Sequence, residues 1–280
     1  MRHFISSSLL LLSFLIYGQN HNSPIQNDAK PSINRTFVNC VEVNNWAPFF
    51  TERNVNGCFL LYDTKKKEHN CINYKRCDSS YLPASTFKII NSLISLECKA
   101  VSSIHEPIKW DGKIRNWEKW NQDHSMASAL KYSVVWFYQE LARRVGRENM
   151  QMWVDSVNYG NRKLGKDIDK FWLEGDIRIS ANQQIDFLKK LINNELPFDM
   201  KNQELVKQIM LIDSTEKYKI HSKTGWAMRA SKQIGWLVGY VETEGNTWIF
   251  ACNIDITQDS DSKYRKEIVY EILRKEGIIK

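Results

Sequence analysis

Neither H-E-x-x-H nor C-x-x-C occurs in the 280 residues, and the six histidines stand apart from one another. The common zinc spacings are therefore excluded, and no metal is expected. G-x-x-x-x-G-K-[ST], G-x-G-x-x-G and G-x-S-x-G are also missing, which removes the usual nucleotide-binding and α/β-hydrolase architectures. There is no basic run longer than Lys65-Lys66-Lys67. With 39 Lys and Arg scattered among 32 Asp and Glu, the net charge of +7 points to no nucleic acid, and the triplet reads as a solvated hairpin tip.

A membrane-spanning helix needs about 20 apolar residues, and the N-terminal stretch from Phe4 to Tyr17 is shorter and broken by serines. Arg2 and His3 before it and Gly18-Gln19-Asn20 after it fit a secretory signal peptide over residues 1–19, with Ile16 and Gly18 as an imperfect cleavage site. No Cys directly follows the apolar stretch, so no lipid anchor is expected. The exported chain would carry a loose polar tail over 20–34, have no membrane association after cleavage, and reside in the periplasm. Six cysteines in a chain of this length make no disulfide scaffold. Cys71 and Cys77 are the best candidates for a pair, with free thiols an equal alternative.

Apolar residues make up 42% of the chain, with 10 Trp and 12 Phe, enough for a large core. Periodicity predicts a strand over 55–63, a hairpin partner near 71–74, and a buried helix from Ser85. Helices follow over 134–145, 148–157, 182–193 and 202–212. Strands return over 219–224, 235–242 and 247–255, before a last helix at 263–275. The expected class is α+β: residues 35–280 with a sheet from about 37–75 and 218–280 and a helical insert at about 85–215. A cleft should lie at their junction.

Four S-x-x-K matches occur, at Ser85, Ser128, Ser214 and Ser260, so the pattern alone carries little. Ser85 differs in context. It follows the turn Tyr81-Leu82-Pro83-Ala84 and opens the apolar helix, where free backbone N–H groups favour a developing oxyanion. Lys88, one turn on between Phe87 and Ile89, is a candidate for burial with a depressed pKa. Lys223-Thr224-Gly225 ends a strand far downstream, and S-x-x-K followed by K-T-G is the order found in penicillin-recognising serine enzymes.

The middle element is Ser133-Val134-Val135, followed by Tyr159-Gly160-Asn161 and Phe171-Trp172-Leu173. With Pro83-Ala84-Ser85-Thr86-Phe87-Lys88, Lys109-Trp110-Asp111-Gly112 and Glu276-Gly277-Ile278-Ile279, the chain from Val55 to Ile279 resembles a class D, oxacillinase-type serine β-lactamase. The resemblance implies an α/β/α sandwich plus helical domain, the serine β-lactamase and penicillin-binding transpeptidase-like fold. It implies Ser85 as nucleophile, with the N–H groups of Ser85 and Trp226 as oxyanion hole, and Lys88 carboxylated by CO2 or bicarbonate as general base. Val135 and Trp172 would stabilise that carbamate and Ser133 would relay a proton. Lys223, Thr224, Gly225 and Arg265 would meet the β-lactam substrate, with Trp120 at the cleft mouth. No other cofactor is implied, and the chain would be a monomer or homodimer.

A lysine of pKa ~10.4 is only ~0.04% neutral at pH 7, whereas burial lowering it by ~3 units leaves roughly a quarter able to attack CO2. Tyr159 reads as structural. Glu174 invites a reading as the deacylating base of class A enzymes, a role the carbamate fills in the class D pattern. Glu174 is instead expected opposite Arg229, in the short basic connection after K-T-G that resembles some carbapenem-hydrolysing members. A penicillin-binding transpeptidase and a β-lactam sensor domain are the alternatives, both of which stay acylated.

Overall fold

The computed structural model describes residues 40–280. The expected signal peptide and tail lie outside the described residues. Seven strands, β1 (Cys40–Glu42), β2 (Gly57–Asp63), β3 (Glu68–Ile72), β4 (Leu211–Ser214), β5 (Tyr218–Trp226), β6 (Ile234–Thr243) and β7 (Asn246–Asp255), form one sheet in the order β1-β3-β2-β7-β6-β5-β4. Between β3 and β4 run α2 (Tyr74–Cys77), α3 (Lys88–Glu97), α4 (Met126–Lys131), α5 (Val135–Val145), α6 (Arg147–Val157), α7 (Phe171–Glu174), α8 (Ala181–Ile192) and α9 (Met200–Met210). The short α1 (Ala47–Thr51) precedes β2, and α10 (Tyr264–Lys275) closes the chain.

The central strands are buried on both faces, so their sequences run apolar without clean alternation. Alternate residues still serve different cores. Cys58, Leu60 and Tyr62 of β2 belong to the core that α3 and α8 share, whereas Phe59 and Leu61 belong to the one that includes Ile268, Val269, Ile272 and Leu273 of α10. Helices therefore cover both faces, the layered α+β arrangement that the class implies.

Element bounds match the periodicity within one to three residues, with two departures. The helix expected to reach Ile212 stops at Met210, and Leu211–Ser214 becomes an edge strand against β5. Ile212, Asp213 and Ser214 are weaker helix formers, and Leu211, Asp213 and Ser214 pair with β5 around a register shift at Ile212. The hairpin partner of β2 begins at Glu68, and the Lys65-Lys66-Lys67 run lies exposed in the intervening turn.

The disulfide expectation is corrected. Cys71 pairs with Cys40, not with Cys77. β1 lies parallel to β3 and brings the two Cα atoms to 6.1 Å, a bonding separation. Cys77 is a free, buried thiol on α2, with Sγ 3.8 Å from the Ile72 carbonyl.

Candidate active site

Ser85 lies in a 3₁₀ turn, Ala84–Phe87, and the α-helix proper opens at Lys88. Buried Ala84 adopts φ +47°, a left-handed backbone that costs an L-residue about 1–2 kcal/mol. Thr86 Oγ1 stabilises the turn by donating to the Pro83 carbonyl at 2.8 Å while accepting from Gln184 Nε2 at 3.0 Å. Ala84, Thr86 and Phe87 are buried, whereas Ser85 keeps partial exposure and lines a cleft. Strand β5 approaches this turn closely, because a Cβ on Gly225 would stand 2.8 Å from the Pro83 carbonyl oxygen. Any side chain there would push the strand from the nucleophile.

Lys88 is fully buried, and its Nζ donates to Ser85 Oγ at 2.7 Å. Among the described residues that is its one hydrogen-bond acceptor, and no carboxylate lies within ion-pair distance. The Tyr138 ring centroid is 5.4 Å away. An ammonium so poorly compensated is costly, and burial first, then the charge of Lys223, push its pKa well below the ordinary lysine value. The neutral amine that results can take a proton from the hydroxyl it touches.

Behind the nucleophile, Phe87 stacks on Trp172 at 5.6 Å and meets Phe171 and Tyr159 edge-on. Trp172 is fully buried, yet its indole Nε1 has no partner among the described residues. A buried N–H is satisfied in nearly every native structure, so this donor fits an acceptor supplied by chemistry rather than by the fold.

Ser133 adopts φ +56° just ahead of α5, and its Oγ accepts from Lys223 Nζ at 3.1 Å. That contact joins the helical segment to β5. Lys223 also donates to the Thr224 carbonyl, and burial, with the nearby charge of Arg265, lowers its pKa to about 7. At neutral pH Lys223 and Ser133 thus form a pair able to give or take a proton. Arg265 enters from α10, donates to the Gly225 carbonyl at 3.0 Å and stands 5.9 Å over the Trp226 ring. Burial lowers it to about 10, so it remains cationic at neutral pH without a carboxylate partner among the described residues.

The cleft measures about 200 Å³ and is lined by Ser85, Ser133, Val135, Thr224, Gly225 and Arg265. Trp120 and Trp226 also reach it, whereas Lys88, Trp172 and Lys223 are buried and do not line it. The other three S-x-x-K serines have different surroundings. Ser128 closes a capping box with Ser125, Ser214 lies in edge strand β4, and Ser260 in a short 3₁₀ turn. Arg229 and Glu174 meet at 3.5 Å, both about half exposed. Tyr132, Leu173, Met228 and Trp117 line the cleft although the sequence singled out none of them as a site residue. Adjacency to Ser133 and Trp172 was a signal for Tyr132 and Leu173, while nothing marks Met228. No group of three His, Cys, Asp or Glu among the described residues could hold a metal.

Residues 57–274 match the penicillin-binding protein transpeptidase domain family. Within it, β-lactamase OXA-48 of Klebsiella pneumoniae is 42% identical over 238 residues, which cover 85% of this chain and 90% of that protein. The chain belongs to the class D β-lactamases. The crystal structure of a class D β-lactamase, YbXI, from Nostoc aligns with TM-score 0.82 at 42% identity, covering 83% of this enzyme and 98% of that chain. FUS-1 (OXA-85), a class D β-lactamase from Fusobacterium nucleatum subsp. polymorphum, aligns with TM-score 0.83 at 38% identity, covering 85% and 100% respectively. This β-lactamase is accordingly a serine hydrolase acting on β-lactams, with the penicillin-binding-protein-like fold.

Proposed function

We propose that this enzyme hydrolyses penicillins, oxacillin-type substrates among them, through an acyl-enzyme on Ser85, with Lys88 N-carboxylated as the general base. The observation that carries the reading is Lys88 itself, fully buried, unpaired with any carboxylate among the described residues and 2.7 Å from Ser85 Oγ. A neutral, desolvated amine is the form that combines with CO2, and the unpartnered Trp172 N–H suits the group formed. When present, the carbamate would supply the proton acceptor for both acylation and deacylation. Val135 and Phe87 would exclude water around it.

In this reading Ser85 attacks the lactam carbonyl, and its own N–H and that of Trp226 face the developing oxyanion. Ser133, hydrogen-bonded to Lys223, passes a proton to the lactam nitrogen as the ring opens. Thr224, Gly225 and Arg265, which line the cleft, hold the substrate carboxylate with the charge of the buried Lys223 beside them, and Trp120 stands at the mouth. The same proposal includes export by residues 1–19 to the periplasm, as a monomer or homodimer. Steady hydrolysis of a penicillin over many turnovers is the expected result. A stoichiometric burst without turnover would overturn it in favour of a transpeptidase or sensor.

Weak carbapenem turnover is part of the proposal, supported by the contact of Glu174 with the cleft-lining Arg229. An exposed pair contributes ~0–1 kcal/mol, so Arg229→Ser should lower the carbapenem-to-penicillin rate ratio up to about fivefold. An unchanged ratio would remove Arg229 from carbapenem specificity.

A further inference from the structure

We propose that Gln184, on α8, is a positioning residue for the reaction: its amide fixes the direction of the one hydroxyl proton that ties Thr86 to Pro83, and so sets the place of Ser85 against Lys88 and the end of β5. The inference rests on the β-lactam reading and deepens it. The nucleophile turn converges on the Pro83 carbonyl. That oxygen accepts from Thr86 N at 3.1 Å and from Thr86 Oγ1 at 2.8 Å, closing a turn around Ser85 and the left-handed Ala84. It is also the atom that a Cβ on Gly225 would meet at 2.8 Å. The Pro83 peptide therefore lies at the seam between the Ser85 turn and the strand whose next residue, Trp226, offers the second oxyanion N–H.

A threonine hydroxyl has one proton to give. Gln184 Nε2 lies 3.0 Å from Thr86 Oγ1, and an amide nitrogen only donates, so it takes a lone pair of the hydroxyl and leaves the proton to Pro83. Both side chains are buried, where no bulk water competes for either group. The amide also carries a cost. Its Oε1 makes no well-formed hydrogen bond among the described residues, although the Tyr159 hydroxyl lies near it. An apolar side chain of that length would bury no unpaired oxygen, so packing alone does not account for the amide. What it supplies is a donor aimed at Thr86. Small displacements matter at this turn, because Ser85 Oγ must meet Lys88 Nζ at 2.7 Å and the substrate carbonyl together.

The test measures the acylation rate constant for a penicillin in single turnovers, with bicarbonate in excess, for wild type, Gln184→Met and Gln184→Glu. The rate constant, unlike the burst amplitude, does not depend on how much of a variant is folded. Gln184→Met keeps the length and removes the donor, and should acylate about 10- to 100-fold more slowly. Gln184→Glu offers a donor only when protonated, and burial raises the pKa of such a carboxyl. Once ionised it accepts instead, and draws the Thr86 proton away from Pro83. Its rate relative to wild type should therefore stay within about threefold below the pKa of that carboxyl and fall about tenfold or more as pH rises through it. A side chain that only fills space predicts a ratio independent of pH. A flat ratio between about pH 5 and about pH 9 overturns the assignment, and so does a Gln184→Met enzyme that acylates at the wild-type rate. If wild type forms no acyl adduct on Ser85, the β-lactam reading fails and this proposal with it, whereas wild-type acylation with a flat ratio removes the role of Gln184 alone.

Discussion

Lys88→Ala should lose turnover and leave penicillin covalently on Ser85, seen by mass spectrometry as a persistent adduct. The side chain touches Ser85 Oγ at 2.7 Å, and general-base catalysis contributes typically 10²–10⁴-fold, so a loss of that order is expected in deacylation. An absent adduct would confine the role of Lys88 to the first step or exclude it. Trp172→Ala should resemble it in part and recover with added bicarbonate, since the indole N–H it loses has no partner among the described residues.

The same group gives a pH dependence. Lys88 holds its proton less tightly folded than unfolded, so protonation favours the unfolded state. The cost is absent above the ordinary lysine pKa, grows as pH falls below it, and levels off below the folded pKa. Lys88→Met, which keeps the volume and removes the charge, should therefore melt at or above the wild-type temperature at neutral pH while remaining inactive. A variant melting well below wild type would mean that the amine is compensated in the fold. If Lys88 is carboxylated as proposed, wild-type activity should fall when bicarbonate is withheld at mildly acidic pH and recover when it is added.

Arg265→Ala should lower kcat/KM for a penicillin about 10- to 150-fold, the loss of a charge-assisted hydrogen bond of ~1.5–3 kcal/mol. Arg265 is cationic, unpaired with a carboxylate among the described residues, and anchored by the Gly225 carbonyl at the end of β5. A substrate whose carboxylate is esterified should lose much less. Equal losses for acid and ester would place Arg265 outside the site.

The order of chemical residues along the chain was legible because chemistry restricts residue type. A nucleophile with an amine one helical turn on, a second serine, and a lysine at a strand end leave recognisable spacings at Ser85, Lys88, Ser133 and Lys223. The longer helices and strands were legible from apolar periodicity, whereas β1 and the short helices α1, α2, α4 and α7 were not, β3 begins earlier than expected, and Leu211–Ser214 takes its state from pairing with β5. Long-range partners were not. Cys40 finds Cys71 because β1 pairs parallel to β3, and no local pattern specifies that register. Among the described residues, the isolation of Lys88 from any carboxylate, the unpartnered Trp172 N–H and the Ser133–Lys223 contact each depend on segments distant in sequence or on turns packed against them. Residue types and spacing determined which reaction class this protein could carry. Burial and proximity, which only the folded chain creates, decided the protonation of its lysines and the shape of the wall its substrate meets.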